Sequence, residues 1–233
     1  MKLNIHYYQH VNYEGLGCIQ QWSVQNGYNL TKTNFKNDEP IPNPDLYDVL
    51  IIMGGPMSVH DESKLPWLLK EKRSINRALN DGKKVIGICL GAQLLAEVLG
   101  GKVTKSEHQE IGWYKISLTE EAGGIKHFDS FPKEFQIFHW HGEEFSLPQN
   151  CTRIAYSEAC QNQIFTYGDI AAGFQCHPEQ TEYSIGRMLE RAGSSIRPGK
   201  YVSTKEQIIS DIHYAKPNND MLFNFLDSFL KNE

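Results

Sequence analysis

A single cysteine stands between two glycines where a buried strand is predicted to turn into a helix, in Gly87-Ile88-Cys89-Leu90-Gly91-Ala92-Gln93. Lys84 to Ile88 reads as the strand, and Ala92 to Leu99 repeats apolar residues at helical spacing until Gly100-Gly101 ends the helix. The flanking glycines permit a sharp turn and a close approach of substrate. At the helix N-terminus, free N–H groups and the helix dipole favour the thiolate of Cys89. A buried structural cysteine is the alternative interpretation.

A thiolate nucleophile needs a general base, and His177-Pro178-Glu179 offers a histidine with a carboxylate two residues away. The tripeptide follows the apolar run Ile170 to Phe174, which is predicted to be a strand. Residues i and i+2 of an extended segment point the same way, and Pro178 disfavours helical geometry at His177. We therefore expect Glu179 to reach one imidazole nitrogen while the other faces Cys89. Read alone, the tripeptide fits an ordinary loop equally well.

A Gly-Gly-Pro turn, Met53-Gly54-Gly55-Pro56, follows another predicted buried strand, Leu46 to Ile52. Acyl transfer needs N–H donors aimed at the developing oxyanion. Because Pro56 has no N–H, the expected donors are the amides of Gly55 and of Leu90, directly after the cysteine. Without the other two motifs this segment would be only a turn.

The three motifs together resemble the class I, triad-type glutamine amidotransferase family over about residues 2–190, in particular its stand-alone, GMP-synthase-like proteins. The resemblance implies that Cys89 attacks the side-chain amide of glutamine and that His177 passes a proton to the departing ammonia. It also implies that Glu179 orients His177 and that water hydrolyses the thioester. A small-molecule substrate, glutamine or a γ-glutamyl compound, is therefore expected.

Further substrate contacts follow from the same resemblance. Gln93 matches a position that contacts substrate, and the backbone of Trp140 and Gly142, in the segment 139–143, lies where the family holds the two ends of glutamine. His139 and His141 stand two residues apart, as in some metal sites. With no third ligand at a suggestive spacing and no Cys-x-x-Cys pair, we expect a site wall or hydrogen-bonded surface histidines, and no metal.

The order of segments predicts an α/β fold. Strands and helices alternate in the first half of the chain, which is typical of a doubly wound, mostly parallel sheet with helices on both faces, as in flavodoxin-like three-layer proteins. After Gly101, shorter alternating segments predict antiparallel additions, for example at 113–118 and 135–138. Ligands are expected at the carboxyl ends of the parallel strands, where Gly55 and Cys89 both fall.

We interpret residues 1–233 as a single domain with no internal boundary. Its C-terminal part, 191–233, is expected to be a loop followed by a helix capped at Asn218-Asn219-Asp220. Of the local elements, a strand is predicted at about 3–8, a helix at about 15–26 and a strand near 28–33.

Composition excludes several function classes. A formal net charge of −5 without a basic run argues against nucleic-acid binding. The sequence has no glycine-rich phosphate loop and no Rossmann fingerprint, so no cofactor is expected. An odd number of scattered cysteines, five, and no long apolar segment favour a cytoplasmic protein with no membrane span.

Three hypotheses remain open. In the first, the chain is a glutaminase whose ammonia goes to an acceptor on a partner chain, a synthetase, because only 54 residues (233 minus 179) follow the His-Pro-Glu motif. In the second, it is a stand-alone γ-glutamyl hydrolase or transferase acting on γ-glutamyl peptides or amines. In the third, it is a catalytically idle binding or regulatory subunit.

Overall fold

A ten-stranded mixed sheet forms the centre of the molecule, in a computed structural model that describes residues 2–231. The strand order is β2-β1-β3-β4-β9-β8-β7-β5-β10, and β6 pairs with β5. The strands are β1 Asn4–Gln9, β2 Asn29–Asn34, β3 Val49–Ile52, β4 Lys84–Ile88, β5 Val103–Leu118, β6 Glu134–Phe145, β7 Thr152–Ser157, β8 Ile164–Tyr167, β9 Ala171–Phe174 and β10 Tyr201–Val202.

In the described part of the chain, six α-helices accompany the sheet: α1 Cys18–Gln25, α2 Trp67–Asn80, α3 Leu90–Val98, α4 Glu182–Ala192, α5 Lys205–Ser210 and α6 Ala215–Leu230. Side chains of α1 and α6 pack in one hydrophobic cluster, and side chains of α2 and α3 pack in a second. Strands β3 and β4 contribute alternate residues to the two clusters, so the clusters lie on opposite faces of the sheet. The expected three-layer α/β arrangement is therefore confirmed.

Five neighbouring strands, β2-β1-β3-β4-β9, are parallel. All residues of β3 and β9 are buried, as expected for strands covered on both faces. Strand β3 begins at Val49 rather than at Leu46, because Pro44–Leu46 forms a short 3₁₀ turn that Asn43 caps through its side chain. The carboxyl ends of these strands meet at one edge of the sheet.

The rest of the sheet is largely antiparallel, as predicted from the segments after Gly101. Strands β5 and β6 form a long antiparallel pair, and β7 and β8 continue the sheet to β9. This arrangement brings β6 over the carboxyl end of β4, since the segment around Trp140 contacts Cys89 there.

The turn between β4 and α3 depends on close packing of the helix against the sheet. A Cβ on Gly91 would lie 2.1 Å from the carbonyl oxygen of Ile52, and a Cβ on Gly87 would lie 2.4 Å from the carbonyl oxygen of Gly91. Neither position has room for a side chain, because both neighbouring atoms belong to the backbone. These glycines therefore let α3 begin directly at the end of β4.

The C-terminal helix differs from the prediction. Asn218 and Asn219 do not cap α6, which begins at Ala215. Pro217 is tolerated in the first turn because the first N–H groups of a helix have no intrahelical partner. The two asparagine side chains instead donate to carbonyl oxygens of other segments, which is why both are buried. The last two residues of the predicted C-terminal segment, 232 and 233, lie outside the described residues.

Within residues 2–231, no helix combines the length and the apolar character needed to cross a membrane.

Candidate active site

Cys89 lies at the tip of the turn between β4 and α3. Its φ of 53° is in the left-handed region, which is uncommon for a residue with a side chain. The amide of Cys89 donates to the carbonyl oxygen of Phe174 over 2.7 Å. Its Sγ lies 3.7 Å from the carbonyl oxygen of Trp140. The strained backbone thus holds the thiol at the edge of the sheet, between β9 and β6.

His177 follows β9 and pairs with Glu179. The Nδ1–H of His177 donates to Oε1 of Glu179 over 2.9 Å, and both side chains are 1% exposed. The amide of His177 donates to the carbonyl oxygen of Phe138, which fixes the segment against β6. Burial by itself lowers the pKa of His177, but the Glu179 carboxylate and the Cys89 thiolate together raise it well above its usual value.

The histidine and the cysteine meet beside Gly54. The Cβ of Cys89 and the Cε1 of His177 each lie 3.5 Å from the point that a Cβ on Gly54 would occupy. The Nε2 of His177 is buried and has no hydrogen-bond partner among the described residues. The structure therefore brings together Cys89, His177 and Glu179, the three residues that the sequence motifs single out.

The two predicted oxyanion donors flank the same place. Gly55 follows β3 and lines the cavity that contains Cys89. Leu90 is the first residue of α3, so its N–H has no partner within the helix. The carbonyl oxygen of Gly54 accepts a hydrogen bond of 3.0 Å from Nδ1 of His10.

A cavity of about 570 Å³ opens at this edge of the sheet. It is lined by Cys89 and His177 and by the predicted contact residues Gln93, Trp140 and Gly142. The Nε2 of Gln93 donates to the carbonyl oxygen of Glu143 and to the side chain of Gln175, each over 3.1 Å. Both bonds use the amide nitrogen of Gln93, so the side-chain oxygen of Gln93 remains available for other contacts.

The sequence motifs gave no indication of Glu14. Its carboxyl oxygen Oε2 lies 2.5 Å from the point that a Cβ on Gly54 would take, beside the cysteine and the histidine. The residue is 8% exposed and lines the cavity. Burial raises the pKa of Glu14, while the nearby His177 and His10 lower it to a smaller extent. The signal that could have identified it is its place just after β1, at the edge where Gly55 and Cys89 also lie.

A second acidic residue, Glu110, lies against the two histidines of β6. Its Oε2 lies 3.1 Å from Nε2 of His141 and 3.8 Å from Nδ1 of His139. Within the described part of the chain, these residues form one group of three potential metal ligands. The sequence showed no third ligand because Glu110 is on β5, far away in the chain but opposite His141 in register.

Polar groups of several elements surround the Glu110 carboxylate. The Nδ1 of His141 lies 3.1 Å from the carbonyl oxygen of Glu143, so Nδ1–H is the donor, and Nε2 faces the Glu110 carboxylate. Burial raises the pKa of Glu110, but His139 and His141 outweigh it and bring the value to about 2. The carboxylate also accepts from Gln163. This network packs behind the cavity wall and holds β6 against β5.

Comparison with known proteins agrees with the geometry. The model of the family "Glutamine amidotransferase class-I" matches residues 18–192. The glutamine amidotransferase-like protein YfeJ of Salmonella typhimurium is 32% identical, over 97% of this chain and 96% of its own. Gamma-glutamyl peptidase 5 of Arabidopsis thaliana is 30% identical, over 74% of this chain and 67% of its own. The crystal structure of a glutamine amidotransferase from Thermotoga maritima superposes with a TM-score of 0.90 and 28% identity, covering 100% of both chains.

Proposed function

Because the chain belongs to the class I glutamine amidotransferase family, we propose that it hydrolyses the side-chain amide of glutamine through a thioester on Cys89. The ammonia released would go to an acceptor on a partner chain, a synthetase. One observation carries the proposal: Cys89, His177 and Gly55 line one cavity, with Glu179 bonded to His177 and Leu90 directly after Cys89.

The first half of the reaction forms the thioester. His177 takes the thiol proton on Nε2, and the sulfur of Cys89 attacks the carbonyl carbon of the side-chain amide. The electron pair of the C=O bond moves to oxygen, and the tetrahedral intermediate forms. It collapses when His177 returns the proton to the nitrogen, so that ammonia leaves and the acyl group stays on sulfur. Glu179 holds the ring through Nδ1 and stabilises the imidazolium.

The second half releases glutamate. His177 takes a proton from water, whose oxygen attacks the thioester carbon, and the second tetrahedral intermediate expels the thiolate of Cys89. Both intermediates carry negative charge on the former carbonyl oxygen. The amides of Gly55 and Leu90 are our proposed donors to this oxygen, because they flank the cysteine from two different elements.

The remaining cavity wall would bind the amino and carboxylate ends of the substrate. The backbone of Trp140 and Gly142 is proposed for this role, with the free oxygen of Gln93 as a further contact. Trp140 and Gly142 are two residues apart on β6, so their backbone N–H and C=O groups point to the same side of the strand.

A second candidate is hydrolysis or transfer at γ-glutamyl peptides or amines, without a partner chain. Two observations favour it. The cavity, at about 570 Å³, falls in the range of pockets that hold drug-sized ligands, so it has room for more than the glutamyl group. One relative is named a gamma-glutamyl peptidase. The chemistry at Cys89 would be the same, with an amine or peptide as the leaving group.

A catalytically idle protein is the third possibility. The hydrogen bond between His177 and Glu179 argues against it, because a buried pair of ionisable groups costs free energy and is common at working active sites.

The test compares substrates on the purified chain. Ammonia release from glutamine is measured beside amine release from γ-glutamyl dipeptides and γ-glutamyl amines, with Cys89→Ala as the blank. Release from glutamine, absent in Cys89→Ala, supports the first candidate. Selective cleavage of γ-glutamyl peptides supports the second, and no turnover of any member of the panel contradicts both.

A further inference from the structure

His10, directly after β1, is a buried histidine with two acceptors. Its Nδ1 lies 3.0 Å from the carbonyl oxygen of Gly54, and its Nε2 lies 2.9 Å from Oε1 of Glu71 on α2. The side chains of His10 and Glu71 are both 0% exposed. Neither a carbonyl oxygen nor an ionised carboxylate can donate, so both ring nitrogens of His10 carry a proton in this arrangement.

The surroundings stabilise a charged ring in this place. Burial lowers the pKa of His10, but Glu71 and the Gly54 carbonyl more than compensate and raise it above its usual value. The ring lies beside the stacked pair of Phe35 and Trp67, with its centroid 5.6 Å from each and interplanar angles of 12° and 24°. Aromatic rings attract a nearby cation, so these two rings add to the stabilisation of the imidazolium by the hydrogen bonds at its two nitrogens.

The bond to Gly54 fixes the direction of the next amide. The carbonyl of Gly54 and the N–H of Gly55 belong to one trans peptide, so they point in opposite directions. Since the carbonyl faces His10, the N–H of Gly55 faces away from it. Gly55 itself lines the cavity with Cys89.

A peptide between two glycines needs such a constraint. Glycine has no Cβ and adopts conformations on both sides of φ = 0 at little cost, so rotation of the Gly54–Gly55 peptide would be cheap in the absence of a partner. A rotated peptide would present its carbonyl oxygen, rather than its N–H, to the oxyanion.

We propose that His10, held by Glu71, is a positioning residue that fixes the Gly54–Gly55 peptide with the Gly55 amide directed at the oxyanion of the reaction on Cys89. This inference rests on the proposed function, because the oxyanion forms only if the chain hydrolyses a γ-glutamyl amide. In this arrangement the Gly54–Gly55 turn is already in its active conformation in the isolated chain.

Two variants of His10 separate the bond to Gly54 from the bond to Glu71. Asparagine places its amide nitrogen near the position of the histidine Nδ1, so His10→Asn keeps a donor for the Gly54 carbonyl. Glutamine reaches as far as Nε2, so His10→Gln keeps the contact with residue 71 and loses the donor to Gly54. Both are made in a Glu71→Gln parent, which leaves no unpaired carboxylate in the core, and all rates are compared with that parent.

We expect kcat to fall in the variant that lacks the hydrogen bond to the Gly54 carbonyl. Removing one oxyanion donor lowers kcat about 10²–10³-fold in a known case, so we expect His10→Gln to lose on the order of 10²-fold in kcat with little change in KM. His10→Asn should stay within about tenfold of the parent. Each variant loses one of the two hydrogen bonds of His10. If the role of His10 were only structural, both variants would therefore lose kcat equally, in proportion to the fall in their melting temperatures.

Two further measurements keep the test decisive. Alkylation of Cys89 by iodoacetamide needs no oxyanion donor, so its rate should be the same in both variants and the parent. A parallel loss of alkylation, or equal kcat in the two variants, would overturn the proposal. If the wild-type chain turns over no member of the substrate panel, the proposed function fails. Crystal structures of the two variants then test the positioning alone, which requires a rotated Gly54–Gly55 peptide in His10→Gln but not in His10→Asn.

Discussion

The amide of Cys89 donates to the carbonyl oxygen of Phe174 over 2.7 Å, and this bond joins the ends of the two strands that deliver the proposed nucleophile and its base. Strands β4 and β9 are parallel neighbours in register, with Ile88 opposite Phe174. Cys89 is the next residue of one strand, and His177 follows the other after two more residues. The separation of sulfur and imidazole is therefore set by the rigid spacing of adjacent strands and not by a loop alone.

The first prediction concerns the five cysteines. Cys89→Ala should abolish turnover, whereas alanine at position 18, 151, 160 or 176 should leave it largely intact. Burial raises the pKa of Cys151 to about 11 and raises the pKa of the other three still further above the usual value. These four thiols stay protonated near neutral pH and react slowly. Mass spectrometry after treatment with a glutamine-analogue electrophile should find label on Cys89 alone, and predominant label on Cys176 would contradict the assignment.

The second prediction separates His177 from Glu179. His177→Ala should remove nearly all activity, because His177 is proposed to carry the proton in both halves of the reaction. Glu179→Gln should leave a measurable remainder after a loss of roughly 10²–10⁴-fold in kcat, since the orienting group does not touch the substrate. Steady-state kinetics at several pH values measure both. Full activity of Glu179→Gln would contradict its orienting role. Of the alternatives that the sequence suggests, Glu143 lines the cavity and Glu158 is exposed and pairs with Lys200, so Glu143 and the nearby Glu14 would be examined first.

The parallel half of the fold could be predicted from sequence because its signals are local. The predicted strand at Lys84 to Ile88 has the observed bounds, and α3 begins at Leu90, directly after the cysteine. Apolar runs and glycines determine both features within about fifteen residues of chain. The positions of Cys89 and Gly55 at strand ends follow from the same alternation.

The contacts that complete the site could not be predicted, since they depend on register and on pairs far apart in the chain. Glu110 meets His141 only because β5 and β6 pair with an irregularity between Lys105 and Glu110. His10 meets Glu71 across 61 residues. The cap predicted at 218–220 was wrong for a related reason: asparagine is common at caps, but here both side chains donate to carbonyl oxygens of distant segments.

The third prediction tests support of the His177 segment by the C-terminal helix, which lies outside the matched family region of 18–192. The Nδ2 of Asn219 donates to the carbonyl oxygens of Pro178 and Gln180, each over 2.9 Å. Asn219→Ala should destabilise the fold by about 1–3 kcal/mol and also lower kcat, because the segment that carries His177 loses two hydrogen bonds.

Asn218 provides the matched control for that experiment. Its Nδ2 also donates to two carbonyl oxygens, those of Gln136 and Tyr214, but not to the segment 177–180. Asn218→Ala should lower the melting temperature by a similar amount and leave kcat nearly unchanged. Equal losses of kcat in the two variants would show that the effect is general destabilisation.

The fourth prediction concerns Glu14 and pH. Burial raises the pKa of Glu14 in the folded state, so its contribution to stability is present at low pH and is lost as pH rises through the folded pKa. Glu14→Gln should therefore raise the melting temperature at about pH 8 and have little effect at about pH 5. Glu107→Gln, at a side chain that is 89% exposed, should change neither value. A stabilisation by Glu14→Gln that is independent of pH would contradict this account.

The last prediction is the activity of the chain by itself. An amidotransferase that waits for its partner is expected to have an incomplete oxyanion turn when isolated, and adding the partner would then raise kcat with little change in KM. Here the Gly54 carbonyl is already held by His10, so the turn should be complete without a partner. We therefore expect the isolated protein to release ammonia from glutamine at a steady rate, with a synthetase acting as acceptor and not as activator. Steady-state kinetics on the purified chain measure this. Efficient cleavage of γ-glutamyl peptides with negligible activity on glutamine would favour the second candidate function, since the same preformed turn would then serve a larger leaving group.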